Sequence, residues 1–177
     1  MGFNTASIWI KVALAALALG SLLFTIGYAT VAWMTYTAAH VDDDYGLWRH
    51  SYCSNQQRCT DNRMTAAYLR LRGWTDWYQA TQAFETMGLI CILVALLILL
   101  LFVFIDRMRK RSPLIAIIVF CFVAVVFMVI GFIIINVKFD SVHLYNPYGI
   151  GWSQGLAIAG CVCAFIAGIM SIIDLKQ

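Results

Sequence analysis

Two cysteines in the polar stretch YGLWRHSYCSNQQRC, Cys53 and Cys59, are the side chains best placed for chemistry, with His40 and His50 nearby in the sequence. Two chemistries compete for them. Structural zinc sites favour cysteine pairs with about two to four residues between them, whereas five lie between these. A disulfide is the default if the stretch meets an oxidising compartment. Closing so short a ring constrains the unfolded chain by roughly 2 kcal/mol in the chain-entropy model, which fixes a local hairpin rather than a whole domain. The other cysteines, Cys91, Cys121, Cys161 and Cys163, fall in apolar runs and read as small fillers.

Carboxylates are the second source of chemistry. Glu85 sits inside an apolar run, where a charge is expensive and is either paired or functional. Lys138 and Gln82 are its expected partners; a permeation or proton role is the sharper reading. Asp42, Asp43 and Asp44 form either a solvated loop or a patch that gathers cations. The sequence suggests no Ser/His/Asp or Cys/His arrangement, glycine-rich phosphate loop or carboxylate pair in an apolar setting. It therefore reads as a non-enzyme that needs no cofactor or metal.

Composition decides what must hold these residues. Of 177 residues, 62% are hydrophobic and only 12% are charged, against roughly 25% charged in soluble domains. The net charge of +3 is too small and scattered to draw nucleic acid. Four apolar runs, about Ile8 to Ala32, Tyr78 to Ile105, Leu114 to Asn136 and Trp152 to Ile173, each reach the ~20 residues that cross a bilayer. Without water the backbone must bond to itself, so these runs are helices. A long polar loop (33–77), a basic turn (106–113), a second loop (137–151) and a tail (174–177) complete one four-span domain with the lipid bilayer as its first partner. The first run exceeds a signal peptide's apolar region and is expected to stay in the protein. The start MGFNTAS misses the myristoylation pattern, since Ala6 stands where a hydroxyl residue is needed.

An even number of spans puts both ends and the turn DRMRKRSP on one side. Basic residues tie by number: Lys11, Arg107, Arg109, Lys110, Arg111 and Lys176 against Arg49, Arg58, Arg63, Arg70, Arg72 and Lys138. Density breaks the tie, because the turn crowds four of them beside helix ends, where the positive-inside rule has force. The expectation is a plasma-membrane protein with cytoplasmic termini and the long loop outside. Trp33, Trp74, Trp77, Tyr78, Tyr145, Tyr148 and Trp152 fall at outer span boundaries and read as an interfacial aromatic belt.

The order Trp33, then Gly46-Leu47-Trp48, then Cys53 and Cys59 in a short four-span chain resembles the claudin superfamily. That group includes claudins, peripheral myelin and epithelial membrane proteins, the lens-fibre intrinsic membrane protein and stargazin-type channel subunits. WYQATQAF and YGIGWSQGLAIAG are similar to the openings of the second and fourth spans in the myelin and lens branch. The resemblance implies an all-α membrane protein with a small β cap. Its four helices would form a left-handed bundle under an antiparallel sheet from the first loop, with a strand or edge from the second. VAWMTYTA, YGLWRHSY and AAYLRLRG, rich in aromatic or β-branched residues, are expected to supply the strands. The resemblance further implies that Trp48 packs down into the outer mouth of the bundle, and that this anchor and the disulfide make the loop a rigid platform. The chain departs from claudins in several ways: four residues separate Trp48 from Cys53, DLKQ is no PDZ ligand, the basic turn has no cysteine, and there is no Asn-x-Ser/Thr sequon.

Gly160, Ala164 and Gly168, four apart, and Ala13, Gly20 and Gly27, seven apart, mark faces where helices approach closely, within the bundle rather than between copies. The expected role is cell–cell adhesion, junction formation or membrane organisation, the cap touching copies in the same or the apposed membrane. The alternative is an auxiliary subunit of a larger channel or receptor.

Overall fold

The structure, a computed structural model, describes residues 7–38, 41–54, 58–105, 111–142 and 148–176. His40, Arg107, Arg109, Lys110 and Tyr145 lie outside the described residues.

Four long helices, α1 (Ile8–Ala29), α3 (Thr75–Phe104), α4 (Arg111–Val142) and α5 (Trp152–Lys176), are each long and apolar enough to cross a membrane. Helix α1 opens at Ser7, whose Oγ accepts the Ile10 N–H at 3.3 Å, as an N-cap should. Its buried residues, Ile10, Ala13, Leu17, Gly20, Ser21, Phe24 and Gly27, recur at three- and four-residue steps and so form one stripe. Leu19, Leu22, Ile90, Leu97, Val126 and Ile133 point outward, where lipid replaces water. Lipid gives helices no hydrophobic reason to associate, so close van der Waals packing must do it. A Cβ on Gly160 would lie 2.7 Å from the Gly20 carbonyl oxygen, and one on Gly27 would lie 2.5 Å from the Ser153 oxygen. Backbones of α1 and α5 therefore touch where side chains are missing. Gly88 of α3 instead makes room for the Met128 side chain of α4.

Above the bundle sits a five-stranded antiparallel sheet in the order β4-β3-β2-β1-β5. Strands β1 (Met34–Ala38), β2 (Val41–Tyr45), β3 (Arg49–Ser54) and β4 (Arg58–Arg63) come from the long loop after α1; β5 (Gly149–Ile150) comes from the connection between α4 and α5. Tyr45 faces His50 and His50 faces Asn62, while Asp43 faces Tyr52 and Tyr52 faces Thr60. Alternation puts these six on one face. Asp42, Asp44, Arg49, Ser51, Cys53, Cys59, Asp61 and Arg63 occupy the other.

Three expectations about the elements are corrected. AAYLRLRG is not a strand; most of it is helix α2 (Ala66–Arg72). Ala, Leu and Arg are strong helix formers, Thr65 Oγ1 caps the Tyr68 N–H at 3.3 Å, and Gly73 at φ 71° ends the helix in the left-handed region. YGLWRHSY is not one strand either, because Gly46-Leu47-Trp48 turns the chain between β2 and β3. The acid-rich VDDDY, a composition depleted in strands, is β2, held by pairing on both sides. Helix α4 also runs past its apolar stretch to Val142, lifting Phe139 into the cap.

Gly46 is pressed against the exit of α1: a Cβ there would stand 2.5 Å from the Val31 Cα and 2.6 Å from the Thr30 oxygen. Gly46→Ala should therefore destabilise the protein by about 1–3 kcal/mol through overpacking. Gly155→Ala, whose Cβ meets nothing within 4 Å, should be neutral or mildly stabilising as a helix substitution. Thermal unfolding of both variants in detergent checks the contrast.

Candidate functional site

The site is the cap and the clamp that fastens it. Where α1 ends, its last carbonyls have no helical partner. The Trp33 indole Nε1–H donates to the Gly27 oxygen at 2.7 Å, with its ring buried against Phe132 at 5.8 Å between centroids. Ser153 Oγ accepts from Thr30 Oγ1 at 2.8 Å and from the Ala32 N–H at 3.1 Å. The Gly151 N–H donates to the Trp33 oxygen at 2.8 Å and the Ser153 N–H to the Ala32 oxygen at 3.0 Å. A Cβ on Gly151 would collide with the Ala32 oxygen. The exit of α1 and the entry of α5 are thus bolted backbone to backbone. From α3, Tyr78 donates its hydroxyl to the Gly46 oxygen and Gln82 Nε2 donates to the Leu47 oxygen at 2.6 Å. The turn is fixed by its carbonyls, and Leu47 is fully buried.

A ring cluster continues upward from the clamp. Tyr45 stacks on His50 at 4.1 Å and meets Trp74 at 5.5 Å, Phe139 at 5.2 Å and Tyr148 at 5.7 Å. One tyrosine therefore joins the sheet, the α2–α3 corner, the tip of α4 and the approach to β5. Burial drives the Tyr45 phenol well above its usual pKa, and burial with the Asp43 contact does the same to Tyr148; both remain protonated donors.

Beside the cluster runs a hydrogen-bond chain. Asp43 receives Tyr148 Oη at 2.7 Å and His50 Nε2 at 2.6 Å; His50 Nδ1 meets Tyr68 Oη at 3.0 Å, and Arg72 donates to that oxygen at 3.2 Å. An ionised carboxylate only accepts, so a neutral His50 carries its proton on Nε2 and takes the Tyr68 hydroxyl proton at Nδ1. That leaves the Tyr68 oxygen for Arg72. Every link has one donor and one acceptor. Arg72 also lies over the rings of Tyr68 and Trp74 at 5.6 and 5.7 Å. These groups wall an open cavity of about 520 Å³ between the sheet and α2.

A family sequence model described as "Tight junction protein, Claudin-like" matches residues 5–174. The chain belongs to this claudin-like family. No curated protein matches it.

In this claudin-like tetraspan Cys53 and Cys59 are bonded to each other, directly opposite one another on β3 and β4 with Cα atoms 4.1 Å apart. Of the Gly-Leu-Trp turn, Leu47 rather than Trp48 fills the mouth of the bundle. Trp48 is 39% exposed and lays its ring edge on Tyr28 at 5.5 Å, on the flank of α1. Trp33, Trp74 and Tyr78, expected in an interfacial belt, are buried in the cap and clamp, whereas Trp152 is exposed. Glu85 is fully buried against Gly131, and among the described residues neither of its oxygens has a hydrogen-bond partner. Gln82 is engaged with Leu47 instead, and Lys138 forms no ion pair with Glu85. Gly160 packs on Gly20 and Phe24 of α1, Ala164 lies beside Gly20, and Gly168 lies against Cys121 and Phe122 of α4.

The residues that sequence reasoning missed are Tyr148 as the partner of Asp43, Tyr68 as the partner of His50, and Arg72 behind Tyr68. The i, i+4 pair Tyr68 and Arg72 was a usable signal only with a helix there.

Asp43→Ala should leave His50 and Tyr148 without their acceptor, at a cost of about 1–3 kcal/mol. Asp43→Asn should lose less, and Asp42→Ala on the other face should lose almost nothing. Hydrogen exchange of the β2 and β3 amides reads the difference; equal protection in all three variants would show that the chain of bonds contributes nothing.

Proposed function

We propose that the cap faces the extracellular space and that the protein is a non-enzymatic adhesion or junction component, its cap meeting copies in the same or the apposed plasma membrane. Membership of the claudin-like tight-junction family supports the general role. The basic density of the 106–113 turn supports the orientation with cytoplasmic termini.

The observation that carries the reading is the fastening of the sheet to the bundle. A loop meant only to connect two spans needs no five-stranded sheet, disulfide and backbone clamp. A rigid sheet holds a contact surface at a fixed height and angle, which lowers the ordering cost of association. The free edge of β4 carries Asp61 and Arg63, and charges of this kind discourage indiscriminate strand addition. Apolar contact is offered elsewhere. Leu71 on α2 is 88% exposed, and Ile150 on β5 is 61% exposed. Large apolar side chains held in water above the membrane are the expected anchors of a protein contact.

Expression in non-adherent cells should cause aggregation, and Leu71→Asp should reduce it several-fold at unchanged surface level, with Arg70→Gln, which shifts the charge by the same one unit, as the control. Labelling of intact cells at the cap gives the orientation. Cells that stay dispersed while the protein co-purifies in fixed ratio with a larger channel would replace adhesion by the auxiliary-subunit role.

A further inference from the structure

The cavity between the sheet and α2 is a built site whose inner wall is complete and whose rim is not. Inside, Asp43 already holds two donors, from His50 and Tyr148, so each of its oxygens is engaged within the protein. At the rim the balance is different. Arg72 contributes one bond to Tyr68 and forms no ion pair among the described residues. Its guanidinium has further N–H donors in a planar fork, a geometry that matches a carboxylate. Stacking over Tyr68 and Trp74 holds that fork in place.

Opposite Arg72, across the cavity, strands β3 and β4 present Tyr52, Thr60 and Asn62 on the same sheet face. Tyr52 is 37% exposed and contributes an aromatic side chain to the lining. Among the described residues neither the Tyr52 hydroxyl nor the Asn62 carboxamide makes a hydrogen bond. Asn62 supplies a donor pair and an acceptor in one plane. The lining therefore combines an aromatic face, a two-way hydrogen-bonding amide and a cationic fork around a space of about 520 Å³. A ligand that uses all three has an apolar C–H face, adjacent hydroxyls and one carboxylate.

We propose that this cavity binds an acidic monosaccharide, as a uronic or sialic acid unit of a cell-surface glycan. The carboxylate sits on Arg72, the ring lies against Tyr52, and the hydroxyls bond to Asn62 and Thr60. An extended acidic peptide would use Arg72 but has no use for the ring face beside the amide. This site goes beyond the adhesive role proposed above; it rests on the cap facing the extracellular space, as proposed there, and not on adhesion, since the occupant is a sugar and not a second copy.

The test uses the full chain in detergent, with methyl β-D-glucuronide as probe, methyl β-D-glucoside as its uncharged counterpart and tetraglutamate as an acid without a sugar ring. Saturation-transfer NMR and calorimetry should show glucuronide binding at least about tenfold more tightly than glucoside, the size of one charge-assisted contact. Arg72→Gln should reduce glucuronide to the glucoside level. Asn62→Ala, on an exposed strand position, should weaken both sugars, and Arg70→Gln, outside the cavity, should change neither. Absence of glucuronide binding, equal binding of the two sugars, tetraglutamate binding as tightly as glucuronide, or an unchanged affinity in Arg72→Gln would each overturn the proposal. If Arg72→Gln disturbs the fold, the comparison of probes on the wild-type chain and on Asn62→Ala still decides.

Discussion

At the end of a membrane helix the backbone runs out of its own partners at the place where lipid gives way to water, and this chain must also turn there from a helix into a strand. Trp33 and Ser153 solve the problem together. The indole takes the Gly27 carbonyl, while Ser153 receives Thr30 and Ala32 and returns its own N–H to Ala32. Unsatisfied polar groups at this depth cost several kcal/mol each, so the pairing is what permits a tight exit. Once α1 and α5 are joined in this way, Gly151 and Gly46 have no room for a side chain. Those two glycines follow from the closeness; they do not cause it.

Below the clamp, packing is made of absences. Glycines 20, 27 and 160 let backbones meet, and the outward faces are apolar, mostly aliphatic with Phe104 and Phe165 among them. Such a bundle presents lipid with little to recognise. Polar side chains and half-buried rings are concentrated above it. Function is therefore argued from the cap, and the bundle supplies its footing.

How much of this was visible in the residues differs by level. The four spans were legible because twenty apolar residues in a row admit one structure in lipid. The bonded cysteines were legible from their types, spacing and expected compartment. The cap was legible only in outline. VDDDY is a poor strand by propensity and becomes one through its neighbours' registers. AAYLRLRG was misread because its alternating Leu and Arg mimic a strand, while its helix signals, Thr65 before and Gly73 after, are single residues at its ends. Trp48 was assigned the anchoring role on resemblance. A turn sends successive side chains in different directions, however, and only coordinates show that Leu47 is the one pointing inward. The Asp43–His50–Tyr68–Arg72 chain draws on three elements, β2, β3 and α2, whose register and packing no local pattern could announce.

The two faces of the sheet show how one small element can be stiff and still receptive. On its outer face the disulfide and the Arg49–Asp61 ion pair tie β3 to β4. On its inner face the row from Arg72 to Asp43 links side chains of the sheet and of α2 one to the next, which fixes ring orientations. Rigidity at the centre means that rim groups such as Asn62 and Tyr52 are held in position without being consumed by internal bonds. A site of that kind needs no rearrangement to accept a partner, and the ordering cost has been met in folding. The same backbone clamp that resolves the exit from lipid thus sets the geometry with which the cap meets whatever lies beyond the membrane.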